Sequence, residues 1–209
     1  MKSLKQSAVE TYLEFSSFEG SQHIASQFAI YKTLQIIRKN NLKNILEIGL
    51  GIGTLPSAVL NYFGSEINYS GTEDNEFCLK SLKEHLKSKK IEIFKNLDDV
   101  NLEKKYDLLI IDGKEPNLKR IANSLSQNAI IIIEGDRMNQ YQEILHMFSK
   151  SLFVHMTSNK KNHPKGVFDE NNWQGGVKVF FINPTIKQKI YWVKEKLNTK
   201  FNYLKRKNF

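Results

Sequence analysis

At 209 residues, with 40% hydrophobic and 25% charged side chains, the chain has the size and composition of one globular domain with a substantial core. No run of about 18 apolar residues occurs, so no transmembrane helix is expected, and the polar opening Met1-Lys2-Ser3-Leu4-Lys5 leads into no signal core. Cys78 is the only cysteine, which excludes an internal disulfide and a multi-cysteine zinc site and fits a reducing, cytoplasmic setting.

The formal charge of +9 is unevenly placed. Residues 185–209 hold eight Lys/Arg against Glu195, a balance of +7, while the preceding 184 residues hold 23 Lys/Arg and 21 Asp/Glu, a balance of +2. The body is nearly neutral and the tail is basic. A high isoelectric point of this origin is no ground for reading the whole protein as a nucleic-acid binder.

Residues 1–20 carry Tyr12, Phe15 and Phe18 without a clean period, and a short helix followed by a loop around Ser16 to Gly20 is expected. Ser21 is placed to cap a helix running to about Arg38, in which Ile24, Phe28, Tyr31, Leu34 and Ile37 keep the spacing of a core-facing stripe. Ile45, Leu46 and Ile48 read as a short buried strand. The glycines at 49, 51 and 53 then let the chain turn tightly and bring its backbone against a ligand. Leu55 to Phe63 follows as an apolar-rich helix, with Pro56 tolerated in the first turn. Strand, glycine turn and helix form the nucleotide-binding opening of a doubly wound sheet.

A dinucleotide fingerprint, G-x-G-x-x-G, would need glycine where Thr54 stands, and an NTP-binding loop would need a lysine after Gly53. What stands here is Glu47-x-Gly49-x-Gly51-x-Gly53, and it resembles motif I of the class I S-adenosylmethionine (SAM)-dependent methyltransferases. SAM has no pyrophosphate, so strong anion-binding machinery is unnecessary. A carboxylate such as Glu47 suits a ligand that carries an ammonium and a sulfonium. The resemblance implies that Glu47, Gly49, Gly51 and Gly53 surround the methionine and ribose part of the cofactor. It also implies a helix ahead of the first strand whose start borders the cleft, which makes Gly20, Gln22 and His23 candidate site residues.

Ile67 to Thr72 reads as the second strand, ending on Glu73-Asp74-Asn75. Glu73 lies twenty residues after Gly53, where a nucleotide-binding sheet places an acid on the ribose hydroxyls. Asp74 or Asn75 can cap the helix expected from Glu76 to Ser88. Ile91 to Phe94 is a third strand, and the resemblance implies adenine contacts in the loop after it, with Asn96 and Asp98 as candidates.

The fourth strand, beginning at Tyr106, is an apolar run ending on Asp112-Gly113, as a central parallel strand does when it delivers an acid to its carboxyl-end crevice. It resembles motif IV, and Asp112 is expected to serve both cofactor binding and catalysis. Ala129 to Ile133 is the fifth strand, followed by Glu134-Gly135-Asp136. In metal-assisted O-methyltransferases of similar layout, acids after these two strands hold a divalent cation. That resemblance makes Asp112, Glu134 and Asp136 candidate Mg²⁺ ligands and Asp136 a candidate catalytic residue. Gly135 departs from the family pattern, in which the acids after strand five commonly stand as an Asp-Asp or Asp-Asn pair.

Tyr141 to Ser151 reads as a helix, and Leu152 to Met156 and Val177 to Ile182 as a closing strand pair of the kind methyltransferases add to this sheet. The polar loop between them, Thr157 to Gly176, is longer than a hairpin needs and points to a binding loop or lid, with His163 as a candidate general base. After Pro184, the residues Ile186, Ile190, Val193, Leu197, Phe201 and Leu204 keep the spacing of one amphipathic helix with lysines on its other side. Three uses fit it: attachment to an anionic membrane at its inner face, packing on a partner subunit, or packing on its own domain with the lysines solvated.

The expected fold is therefore α/β: a doubly wound, Rossmann-like, seven-stranded, mostly parallel sheet with helices on both faces over residues 1–184, and a basic amphipathic helix over 185–209. The activity implied by the resemblance is SN2 transfer of a methyl group from SAM to an acceptor, foremost a hydroxyl oxygen of a small molecule or glycan intermediate. Asp112, aided by Asp136 or a bound cation, would manage the acceptor's proton. The alternatives are an aminopropyl transferase using decarboxylated SAM, and a non-catalytic adaptor that binds an anionic membrane or a partner through its tail.

Overall fold

In a computed structural model that describes residues 2–207, five strands pair in parallel: β1 (Asn44–Ile48), β2 (Asn68–Thr72), β3 (Ile91–Phe94), β4 (Tyr106–Ile111) and β5 (Leu125–Glu134). β6 (Leu152–Met156) and β7 (Val177–Phe181) close the sheet, β7 running antiparallel to both β5 and β6. The order is β3-β2-β1-β4-β5-β7-β6, as expected for a mostly parallel sheet with an antiparallel closing pair. Among the described residues six α-helices accompany it: α1 (Leu4–Ser16), α2 (Gln27–Asn40), α3 (Thr54–Phe63), α4 (Glu76–His85), α5 (Met138–Met147) and α6 (Ile186–Lys207).

The central strands are apolar at successive positions because both of their faces are covered. In β4, Leu108 and Ile110 point to one face, and Leu109 and Ile111 to the other; in β5, Ile130 and Ile132 alternate with Ile131 and Ile133. The first set packs under α1, α2, α3 and α4 through Tyr12, Ile30, Val59 and Leu82. The second set packs under α5 and the 3-10 turns near residues 97–99 and 118–124, through Ile144, Leu97, Leu118 and Ile121. Each such aliphatic side chain contributes about 1.5–3 kcal/mol on burial, so this double core holds the strand ends in place.

Some boundaries differ from the sequence expectation. Ser26, not Ser21, caps α2: its hydroxyl accepts the Ala29 N–H at 3.1 Å and donates to the carbonyl of Gly175 at 3.3 Å. That second bond comes from 149 residues away, which no local pattern could reveal. Residues 21–23 instead form a 3-10 turn entered through Gly20 in a left-handed conformation. β5 starts at Leu125, four residues ahead of the apolar run, because Leu125 pairs with Tyr106 before a register shift in β4. α4 ends at His85, with Leu86 closing it and turning into the core.

Candidate active site

The strand order reverses between β1 and β4, and the crevice outside their carboxyl ends is where an open α/β sheet receives its ligand. The strand ends are laced together there. Gly49 N–H and Leu50 N–H donate to the Thr72 carbonyl at 3.1 and 3.0 Å, and Asp112 N–H donates to the Ile48 carbonyl at 2.9 Å. This edge carries Glu47, Glu73 and Asp112 to a common rim.

The three glycines of the turn have φ of 84, 54 and 96° at positions 49, 51 and 53, and they do different work. A Cβ on Gly49 would lie 2.5 Å from the Cα of Gly113, so this glycine lets the ends of β1 and β4 cross backbone to backbone. A Cβ on Gly53 would come within 3.0 Å of Leu82, so this one seats α3 against α4. Gly51 has nothing within 4 Å of where its Cβ would be. Of the three, it is the one turned to open space.

Two cavities flank Gly51. The smaller, 280 Å³, is bordered by Gln22, His23, Glu47, Gly51, Thr54 and Asp112, and Gly20 also lines it. The larger, 540 Å³, is bordered by His23, Gly51, Glu73, Asn96, Asp98 and Arg137, and it too reaches Asp112. The segment ahead of α2 thus comes to the rim, as expected for Gly20, Gln22 and His23.

Glu47 is buried and accepts the Tyr69 hydroxyl at 2.7 Å. Burial pushes its carboxyl well above the usual range, against the pull of that hydrogen bond. Glu73 is held differently: one oxygen accepts the Gly51 N–H at 2.7 Å, and the other accepts the N–H groups of Asp74 and Asn75 at 3.1 and 3.0 Å. Asn75 caps α4, accepting the Cys78 N–H at 3.1 Å, which leaves Glu73 to the rim. Asn96 accepts the Asp98 N–H at 2.8 Å, and Asp98 pairs with Arg120, so both line the larger cavity while engaged in their own turn.

Asp112 accepts from the Arg137 guanidinium at 2.9 Å, and Arg137 also bonds the Asp112 carbonyl. Glu134 ends β5 beside Asp112, since the residues before them, Ile111 and Ile133, are paired neighbours in the sheet. Burial lifts Asp112 to about 6, with Arg137 pulling it down. Burial, and next the Asp112 charge, lift Glu134 further, to about 8. The Asp112 charge thus opposes ionisation of Glu134, which burial already disfavours.

The expected three-acid metal site is not assembled. The Asp136 side chain is 91% exposed and faces Lys178 at 3.8 Å, and it lines neither cavity. Gly135, at φ 71°, turns the chain so that Arg137 rather than Asp136 returns to Asp112. Among the described residues no group of three or more His, Cys, Asp or Glu stands close enough to hold a metal ion. The donor set does not fit Mg²⁺, and a guanidinium supplies the positive charge beside Asp112. SAM fits better: Gly51 leaves room for it, and the buried Thr54 hydroxyl, of a residue on the wall of the smaller cavity, has no partner among the described residues.

Arg137 was not among the residues the sequence singled out. Its only signal was a position just past the carboxyl end of a buried strand. His163 accepts the Lys165 N–H at 3.1 Å within its own turn and lines neither cavity, so it does not join the site. The loop around it is anchored to α1, where Phe168 stacks on Tyr12 at 6.0 Å and a Cβ on Gly166 would collide with the Tyr12 ring. It is a packed loop rather than a free lid.

No family model and no curated protein matches the chain. Solved structures do. An O-methyltransferase from Bacillus cereus in complex with S-adenosylhomocysteine (SAH) is 12% identical with a TM-score of 0.61, covering 87% of this chain and 92% of its own. TomG, an O-methyltransferase from Streptomyces achromogenes bound to SAM, is 12% identical with a TM-score of 0.58, covering 87% and 90%. The SAH-bound methyltransferase PaMTH1 from Podospora anserina is 16% identical with a TM-score of 0.56, covering 83% and 86%. The chain has the class I methyltransferase fold. At these identities the likeness is one of fold, and the site must speak for the chemistry.

Proposed function

We propose that the chain is a SAM-dependent methyltransferase whose acceptor atom is an oxygen of a small molecule or glycan intermediate. The observation that carries this reading is the Gly51 turn. It stands open between two cavities, ringed by carboxyls from three strand ends (Glu47, Glu73 and Asp112), with the Thr54 hydroxyl awaiting a partner. When bound, SAM supplies an electrophilic methyl group on a sulfonium. Glu73, fixed at the rim by three main-chain N–H groups, would take the ribose hydroxyls. Asn96 and Asp98 line the larger cavity and would border the adenine.

The chain's main contribution is alignment of acceptor oxygen, methyl and leaving sulfur. With SAM bound, Asp112, whose raised pKa suits a base working near neutrality, would take the proton that the acceptor hydroxyl gives up. The Arg137 guanidinium, which lines the larger cavity beside Asp112, would stabilise negative charge building on the oxygen. Calorimetry with SAM and SAH, on the wild type and on Glu73→Ala, tests this. Micromolar binding that weakens at least about tenfold in the variant is expected, a loss of about 1.4 kcal/mol or more. Absence of binding to both ligands would end the methyltransferase reading.

A further inference from the structure

Helix α6 packs on the domain through polar side chains together with Tyr191 and Trp192, and turns its aliphatic stripe away. Its polar side chains face the domain: Gln188 donates to the Asn128 carbonyl at 3.0 Å, Asn202 to the Thr157 carbonyl at 2.6 Å, and Arg206 Nε to the Ser158 carbonyl at 2.6 Å. Glu195 is buried in an ion pair with Lys32 at 2.6 Å, and the Trp192 indole N–H donates to the Phe153 carbonyl at 2.8 Å. The apolar stripe points the other way. Ile186, Ile190, Val193, Leu197, Phe201 and Leu204 are all exposed, from 48% at Val193 to 78% at Ile186. At 3.6 residues per turn these positions fall within an arc of about 80°, in a row about 27 Å long.

Lysines border the row on both sides. Lys189, Lys196, Lys200 and Lys207 follow one edge, and Lys187, Lys194 and Lys205 the other, all exposed. The helix's one acid, Glu195, is spent on Lys32, so the outward face is cationic throughout. An aliphatic row of this length is not left to water without a reason, since contiguous exposed apolar patches mark docking surfaces.

We propose that this face seats on an anionic phospholipid bilayer, with α6 lying in the plane of the interface. The row would enter the boundary between headgroups and acyl chains, and the lysine stems would run beside it to bring their ammonium groups to the phosphates. Charge complementarity selects the occupant. A second copy meeting this face by two-fold symmetry would set lysine rows against lysine rows, with no acid on the helix surface to offset them. No described helix is long and apolar enough to cross a membrane, so α6 lies on the surface and does not span it. The proposal does not depend on the methyl-transfer reading, because its readouts need no cofactor.

The test is flotation of the full chain with vesicles of phosphatidylcholine alone or mixed with phosphatidylglycerol, at low and high salt. Binding to the anionic vesicles alone, weakening with salt, is expected. The exposed-row variant Ile190→Glu/Leu197→Glu should abolish it while keeping the wild-type thermal transition, because neither side chain packs on the domain. Lys189→Gln/Lys196→Gln/Lys200→Gln should lower the partition coefficient about a hundredfold, from about fivefold (about 1 kcal/mol) per lysine. Failure to bind anionic vesicles, equal binding to neutral ones, or binding that survives the Ile190→Glu/Leu197→Glu change would overturn it. So would a stable wild-type dimer in light scattering that the same variant splits, which would make a second copy the occupant.

Discussion

Gly49 and Gly51 sit two residues apart in one turn, both with positive φ, yet the same substitution should affect them in different ways. Alanine at either position must accept a left-handed conformation, at a cost of about 1–2 kcal/mol. At Gly51 that is the whole cost, because the new methyl group points into open space. At Gly49 the methyl carbon would stand 2.5 Å from the Gly113 Cα and 2.6 Å from its nitrogen, both main-chain atoms next to Asp112, whose N–H is bonded to the Ile48 carbonyl. Overpacking of this kind adds about 1–3 kcal/mol, and more where backbone must move. The expected losses are therefore about 2–5 kcal/mol for Gly49→Ala and about 1–2 kcal/mol for Gly51→Ala. For a domain of this size each kcal/mol lowers Tm by about 2–4 °C, so the drops should be roughly 4–20 °C and 2–8 °C. Binding should rank the other way. Gly51→Ala should lose SAH affinity by about tenfold or more while remaining folded, since its methyl group occupies the space between the two cavities. Circular dichroism melts with calorimetry on the folded variants measure both. If Gly49→Ala melts within a few degrees of wild type, or Gly51→Ala is the less stable of the two, the division of labour assigned to these glycines is wrong.

Two further outcomes follow from buried charge. Lys32→Met should cost about 3–5 kcal/mol by stranding Glu195, whose side chain is 4% exposed, whereas Lys32→Met/Glu195→Leu should recover most of that loss. Urea unfolding checks it, and a double variant no more stable than the single would show that the pair is not the cause. The carboxyl pair at the site sets a pH dependence. Both folded-state pKa values are raised, to about 6 for Asp112 and about 8 for Glu134, so the stability they lend is fully present below about pH 4 and falls as pH rises through those values. The urea midpoint should decline between about pH 5 and 8, and Glu134→Gln should flatten the upper part of that decline; an unchanged profile in the variant would remove Glu134 from the pair.

Much of the sheet was legible in the sequence, because strand identity is written locally. A run such as Leu108 to Ile111 is apolar on both faces only if both faces are covered, and its terminal Asp112 has to emerge at the carboxyl edge. The spacing of Glu47, the glycines, Glu73 and Asp112 then places these residues on one rim, as a parallel sheet aligns its strand ends. Direction was harder to read than membership. Asp136 and Arg137 are neighbours in the chain, and the left-handed turn at Gly135 decides which of them meets Asp112. The amphipathic period of α6 was equally plain, but periodicity says only that a helix has two faces. Which face turns inward depends on what the domain offers, and here it offers Lys32 and the open carbonyls of Asn128, Phe153, Thr157 and Ser158. Those groups are distant in sequence and bind polar partners, so the polar side of α6 is drawn in and the aliphatic side is left outward.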